Sequence, residues 1–325
     1  MGPRDDTKGH AGAEIKYFPP NGQWGGSEGI GPPIGGPAGL AERPMVSAGE
    51  KGWNPPVTTS MIPHTSRPPR KARTCEPIVL AGGRGTRLAP FTAVIPKPLM
   101  PIGDESIVDV LLTQIRRRGW DSATLAVGHM AHLVRSYCGD GSRYGMDISY
   151  VEEDTPLGTV GPLAHLPARH GDCDLLVMNG DLLTDLPFDH LMSTHVAAGA
   201  AATIAVQRRP VRMDYGVLDL DEEAMGGPQV LRYREKPRLS ATVSMGVYAF
   251  SPRAIDYIVP GERLDLPQLI ERLLEGGEQV NAYPYEGYWL DIGQPGDYEQ
   301  AVRDFTLKRE EILGPEEAPA KQHAV

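Results

Sequence analysis

From Glu76 onward, short apolar runs and amphipathic stretches take turns along the chain, and this alternation limits the architecture more than any single residue does. "PIVLAGG" reads as a buried strand running into a glycine loop. "SIVDVLLTQIRRRGW" places Ile107, Val110, Leu111 and Ile115 on one helical face, and Gly119 ends it. "ATLAVG", "DISYVEED", "LLVMNGD" and "ATIAVQRR" supply further strands, with "HMAHLVRSYCG" and "HLMSTHVAAGA" as helices between them. The pattern predicts an α/β fold: a Rossmann-like, mostly parallel mixed sheet flanked by helices. Ligands of such sheets bind beyond the carboxyl ends of the strands. The glycine turn after "VLA" and the acid after "LVMNG", Asp181, both fall on that edge.

Beyond about Val211 the pattern changes. "YGVLDLD", "QVLRYREKP" and "TVSMGVYAF" read as antiparallel strands, "DLPQLIERLLEGG" as a helix with Asp265 as N-cap, and "DYEQAVRDFTLKREE" as a terminal helix. The expected organisation is a domain over residues 74–312, with a first part at about 74–210 and a smaller α+β part at about 211–312. Residues 313–325 read as a flexible tail. Residues 1–73 are different: roughly a third are Gly or Pro, too few are apolar to order them, and they read as a disordered extension with no assigned function. A true start at Met61 is the second reading of this region.

The totals exclude some functions. A net charge of −10 argues against nonspecific nucleic-acid binding, which needs a basic face. No apolar run approaches about 18 residues, and the N-terminus lacks the order of a signal peptide, so no membrane association and a cytoplasmic location are expected. The 3 cysteines, Cys75, Cys138 and Cys173, lack metal-ligand spacing and read as reduced thiols.

The densest chemistry lies in "VLAGGRGTRLAPFTAVIPKPLMPIG". It fits neither the P-loop spacing nor G-x-G-x-x-G with a distal acid. Gly82, Gly83 and Gly85 nevertheless let backbone N–H groups approach phosphate oxygens, and Arg84 and Arg87 add fixed charge. This stretch resembles the signature of the sugar-1-phosphate nucleotidylyltransferases. The similarity continues in order through "EEDTPLGTVGPL", "VMNGDLLTD", "DYGVLDLD", "REKP", "SMGVYAF" and "YWLDIGQPGDY", over roughly residues 76–310. The overall look is nearest to the mannose- and heptose-1-phosphate guanylyltransferases.

The resemblance implies an in-line displacement at the α-phosphorus of an NTP by a sugar 1-phosphate, with loss of pyrophosphate. The second pKa of a phosphate monoester is about 6, so the nucleophile needs no general base, and positioning plus positive charge should dominate. It implies that Leu80, Ala81, Gly82, Gly83, Gly85 and Thr86 line the nucleotide, that Arg87 contacts the triphosphate, and that Lys97, between Pro96 and Pro98, neutralises the α-phosphate. Arg84 stays open between a phosphate contact and a solvated charge. Asp181 and Asp291 are implied as the pair that holds Mg²⁺. Lys236 should grip the sugar phosphate, Glu235 should accept from sugar hydroxyls, and Tyr215 and Gly216 should line the sugar pocket. Oligomers are common in the family, and no interface can be read from the sequence.

Base and sugar are argued separately. By resemblance, Gly158 passes near the base and Glu153 reaches its edge. A carboxylate only accepts hydrogen bonds, which suits the adjacent N1–H and N2–H₂ of guanine and conflicts with the flanking oxygens of thymine and uracil. GTP is therefore favoured; Glu152 and Asp154 remain open as occupants of the same position. Ser244 stands where the family often has Asn, which points to a sugar larger than a simple hexose. The alternatives are a thymidylyl- or uridylyltransferase of the glucose-1-phosphate type and a non-catalytic NDP-sugar-binding regulator.

Overall fold

The structure is a computed structural model that describes residues 15–20, 75–153, 155–166 and 173–314. Its centre is an eight-stranded sheet. In chain order the strands are β1 (Ile15–Phe18), β2 (Cys75–Ala81), β3 (Ser122–Val127), β4 (Asp147–Glu153), β5 (Asp174–Asn179), β6 (Ala202–Arg212), β7 (Arg238–Phe250) and β8 (Val280–Pro284). In space they run β1-β4-β3-β2-β5-β7-β6-β8. The pairs β4/β3, β3/β2, β2/β5 and β6/β8 are parallel, and β1/β4, β5/β7 and β7/β6 are antiparallel. This is the mostly parallel mixed sheet expected from the alternation.

Successive residues of a strand point to opposite faces, so each buried strand feeds two cores. Val79 and Ala81 of β2 pack with Leu125, Leu176 and Met178 on one side. Ile78 packs with Leu175, Val177, Tyr248 and Phe250 on the other. Helix Ile107–Arg117 covers the first face through Ile107, Val110, Leu111 and Ile115, all fully buried. Burying each such side chain contributes about 1.5–3 kcal/mol. Ser106 caps that helix by accepting from the Asp109 N–H at 3.2 Å, while the Asp109 carboxylate accepts from the Ser106 N–H at 2.8 Å. Helix Leu266–Glu275 covers the other face, with Asp265 as its N-cap as expected.

Three expectations need correction. Residues 15–18 of the extension are a strand: β1 pairs with β4 over Ile15–Phe18, and a start at Met61 would remove it. Four residues in a Gly/Pro-rich setting carry no period, and their order comes from a partner far away in sequence. The rest of residues 1–73, apart from 19 and 20, lies outside the described residues. The division near residue 211 is not a structural boundary, because β7 returns into the sheet between β5 and β6. The exposed ribbon Val217–Asp221 with Gln229–Arg234 stands outside it as an antiparallel pair. Finally, Leu313 belongs to the core and not to the tail. Helix Pro295–Leu313 buries Ile312 and Leu313, and residues 315–325 lie outside the described residues.

Candidate active site

The loop after β2 and the turn after β5 meet because the two strands are neighbours and parallel. Gly180 allows the close approach. Its N–H donates to the Leu80 carbonyl at 2.9 Å, and a Cβ at Gly180 would lie 2.6 Å from that same oxygen. The chain then forms the short strand Leu182–Thr184, which pairs antiparallel with Trp289–Asp291 and sets Asp291 opposite Leu182. The Ile292 N–H donates to the Asp181 carbonyl at 3.0 Å. Two acids far apart in sequence are thereby fixed side by side.

Two cations face them. Lys97 lies in the 3₁₀ turn Lys97–Leu99, is buried, and donates to Asp181 Oδ2. Its stem packs on Gly85, whose φ of 59° is left-handed. A Cβ at Gly85 would lie 2.9 Å from the Thr92 methyl and 3.2 Å from Lys97 Cβ. Thr92 also donates its hydroxyl to the Gly85 carbonyl at 2.8 Å, which ties the loop to the Lys97 side. Arg87 lies beside Gly293. A Cβ there would sit 3.5 Å from each terminal guanidinium nitrogen and 3.3 Å from Asp291 Oδ2. Gly293 thus leaves room for a guanidinium next to a carboxylate.

The electrostatics follow from this packing. Burial pushes the Asp291 carboxyl above the ordinary carboxylate range, the Asp181 charge adds to the shift, and Lys97 and Arg87 oppose it. Asp181 Oδ1 is buried without a hydrogen-bond partner. A buried carboxylate oxygen left without a donor is costly unless a cation meets it. Among the described residues no group of three or more His, Cys, Asp or Glu is placed to hold a metal ion. The donor set is therefore two hard carboxylates with one orphaned oxygen, which fits a divalent ion of the Mg²⁺ kind that fills its remaining positions with phosphate and water.

The other expected nucleotide residues divide. Leu80 and Ala81 end β2, and the Gly82 carbonyl accepts from the His129 N–H at 3.3 Å. Gly83 and Thr86 are exposed at the loop, as is Arg84. Glu153 ends β4. Its Oε1 accepts from the Leu157 N–H at 3.2 Å, and burial pushes its carboxyl up to about 7, partly opposed by that bond. Glu152 is engaged elsewhere, with Arg135 at 2.9 Å, and Asp154 lies outside the described residues. Gly158 has φ 83°, and a Cβ there would collide with the Leu264 carbonyl. Packing alone therefore requires that glycine.

The expected sugar residues stand apart. Tyr215 and Gly216 precede the exposed ribbon, and Glu235 and Lys236 follow it. A Cβ at Gly216 would strike the Tyr233 hydroxyl, which donates to Glu235 Oε2 at 2.5 Å. Tyr215 is 77% exposed, and Lys236 sits at φ 41° on an exposed bend. Among the described residues, no hydrogen bond or ion pair joins Lys236 to the Asp181–Asp291 pair. The Ser244 hydroxyl donates to Tyr248 Oη at 2.8 Å and accepts from the Gly246 N–H at 3.2 Å.

Sequence reasoning missed the cavity that opens at Asp291. It is about 680 Å³ and is lined by Gln207, Arg209, Trp289, Asp297 and Lys308, among others. Arg209 donates to the Trp289 carbonyl at 2.6 Å and lies over the Trp289 ring, 4.9 Å from its centroid. The available signal was parity: Ala205, Gln207 and Arg209 share one face of β6, whereas Arg208 points away.

Two cations and two acids thus converge at the carboxyl edge of an open α/β sheet, an arrangement whose chemistry suits anionic phosphates. The fold agrees with solved structures. HddC from Yersinia pseudotuberculosis superposes with a TM-score of 0.54 at 22% identity, covering 71% of this chain and 99% of that one. Residues 76–308 match the family described as Nucleotidyl transferase, and the chain belongs to it. A UTP–glucose-1-phosphate uridylyltransferase from Synechocystis is 34% identical over 251 residues, 72% of this chain and 63% of that protein. The mannose-1-phosphate guanylyltransferase catalytic subunit beta of Dictyostelium discoideum is 32% identical over 225 residues, 68% of this chain and 62% of that protein. The chain thus spans a little under two thirds of these relatives' own length. Among the described residues no helix is long and apolar enough to cross a membrane.

Proposed function

We propose that the chain transfers a nucleoside monophosphate from an NTP to a sugar 1-phosphate, giving an NDP-sugar and pyrophosphate. The observation that carries this reading is the convergence of Arg87 and Lys97 on Asp181 and Asp291. A sugar-phosphate oxygen forms the new bond to the α-phosphorus as the bond to the β-phosphate bridge breaks. Lys97, pinned by Asp181, holds positive charge where the α-phosphate gains it. Arg87 meets the departing pyrophosphate. Their charge is fixed in place before the reaction, so none is reorganised during it. Asp181 and Asp291 would hold Mg²⁺, which when bound neutralises the phosphate oxygens between them. Lys236, Glu235, Tyr215 and Gly216 are the residues proposed for the sugar phosphate, with the ribbon as their carrier.

GTP is the proposed donor. Glu153 supports it: one desolvated carboxylate at the end of β4, with Glu152 already committed to Arg135. The relatives named mannose-1-phosphate guanylyltransferase and guanyltransferase support it. A second reading, uridylyl transfer, is favoured by the Synechocystis relative. A matrix of GTP, UTP, dTTP and ATP against mannose, glucose and heptose 1-phosphates with Mg²⁺, read by product mass, tests both. A GDP-sugar as the main product is expected. A UDP- or dTDP-sugar as the main product overturns the guanine reading, and no product with any pair overturns the reaction.

A further inference from the structure

The N-terminal strand β1 docks on the one strand that ends in the residue proposed to read the base. β4 would otherwise be the free edge of the sheet, with its outer N–H and C=O groups unpaired. β1 covers that edge up to its end: Ile15 lies opposite Glu153, Lys16 opposite Glu152, Tyr17 opposite Val151 and Phe18 opposite Tyr150. On one face the Tyr17 hydroxyl donates to Ser149 Oγ at 2.8 Å, along the row Ser149, Val151, Glu153. On the other face the Phe18 ring lies under Arg135, 3.7 Å from guanidinium to ring centroid, and the same Arg135 holds Glu152.

We propose that β1 is a positioning element for Glu153, and that Tyr17 and Phe18 are its anchors. The proposal rests on the reading of Glu153 as the base contact. Adjacent acids on a strand point to opposite faces, so only one can face the nucleotide. β3 pairs with β4 as far as Glu152, which lies opposite Val127, and β1 carries the pairing one residue further, to Glu153 opposite Ile15. Phe18 supports the arginine that keeps Glu152 on the opposite face. A frayed edge would release Glu153 from this pairing, and its contact to the base would be shared between several orientations.

The test uses the full chain with mannose 1-phosphate and Mg²⁺, and GTP and UTP as probes. Tyr17→Pro removes the anchor and breaks the ladder; Phe18→Ala is the milder variant in case the first does not fold. Both should raise the KM for GTP and lower the preference for GTP over UTP by about tenfold, with kcat at saturating GTP changed by less than about twofold. In a Glu153→Gln background, which itself should abolish the preference, either substitution should change KM and preference by less than about twofold, because the two act through one contact. If Phe18→Ala and Tyr17→Pro keep the parent's KM and preference while Glu153→Gln loses them, the positioning role is wrong and the base reading stands. An equal loss with every NTP, additive with Glu153→Gln, makes β1 a stability element only and also overturns the proposal. If Glu153→Gln keeps the parent's preference, the base reading itself fails, and this inference with it.

Discussion

If Glu153, whose carboxyl burial pushes up to about 7, is the base contact proposed above, nucleotide choice depends on pH. Ionised Glu153 offers two acceptors, which match the N1–H and N2–H₂ of guanine. Neutral Glu153 offers one donor and one acceptor, which match the O4 and N3–H of uracil. With a midpoint of about 7 in the free protein, about a tenth of Glu153 is ionised at about pH 6 and about nine tenths at about pH 8. If only the ionised form accepts guanine, kcat/KM for GTP relative to a base-indifferent donor rises about tenfold across that interval. A preference of the neutral form for uracil steepens the GTP-to-UTP ratio further. The assay is direct competition of GTP and UTP for one limiting sugar phosphate, with the two NDP-sugars counted by mass. Competition removes the ionisation of the sugar phosphate, whose second pKa is about 6, because both donors meet the same nucleophile. Glu153→Gln should flatten the profile. A ratio in the parent that is constant from about pH 6 to about pH 8, or that falls, refutes the reasoning.

Three further outcomes are expected. Asp291→Asn should lower Mg²⁺-dependent pyrophosphate release by about a hundredfold or more, yet keep or raise the thermal midpoint without divalent ion, because it removes a partly desolvated charge repelled by Asp181. Glu153→Gln should raise the thermal midpoint at about pH 8 and leave it unchanged at about pH 4: a carboxyl raised in the folded state favours folding below its unfolded value of 4.5, and that contribution is lost as pH rises through about 7. Gly85→Ala should destabilise the fold by about 1–3 kcal/mol, read by denaturant unfolding, since φ is 59° and the Thr92 methyl stands in the way.

Much of the fold could be read from the chain because its determinants are local. The apolar run before Gly82 and the helical spacing of Ile107, Val110, Leu111 and Ile115 each specify an element without outside help, and each is found. The meeting of Arg87, Lys97, Asp181 and Asp291 was implied by resemblance, not by spacing, because it depends on which strands are neighbours. The strand Ile15–Phe18 was not legible, since its register is dictated by β4, which lies far along the chain. Arg209 was hidden for a different reason. Three arginines crowd Arg208–Arg212, and only the pairing of β6 with β7 and β8 shows which one turns toward Trp289.

The pairing of Leu182–Thr184 with Trp289–Asp291 has a consequence for how the protein is made. Asp181 gains its acidic neighbour only when a segment far along the chain returns to pair beside it, and the helix that follows carries the core residues Ile312 and Leu313. A fragment that stops short of Asp291, whether from a nonsense codon or from proteolysis, therefore loses the acid pair and part of the core together, and should lose turnover and stability at once.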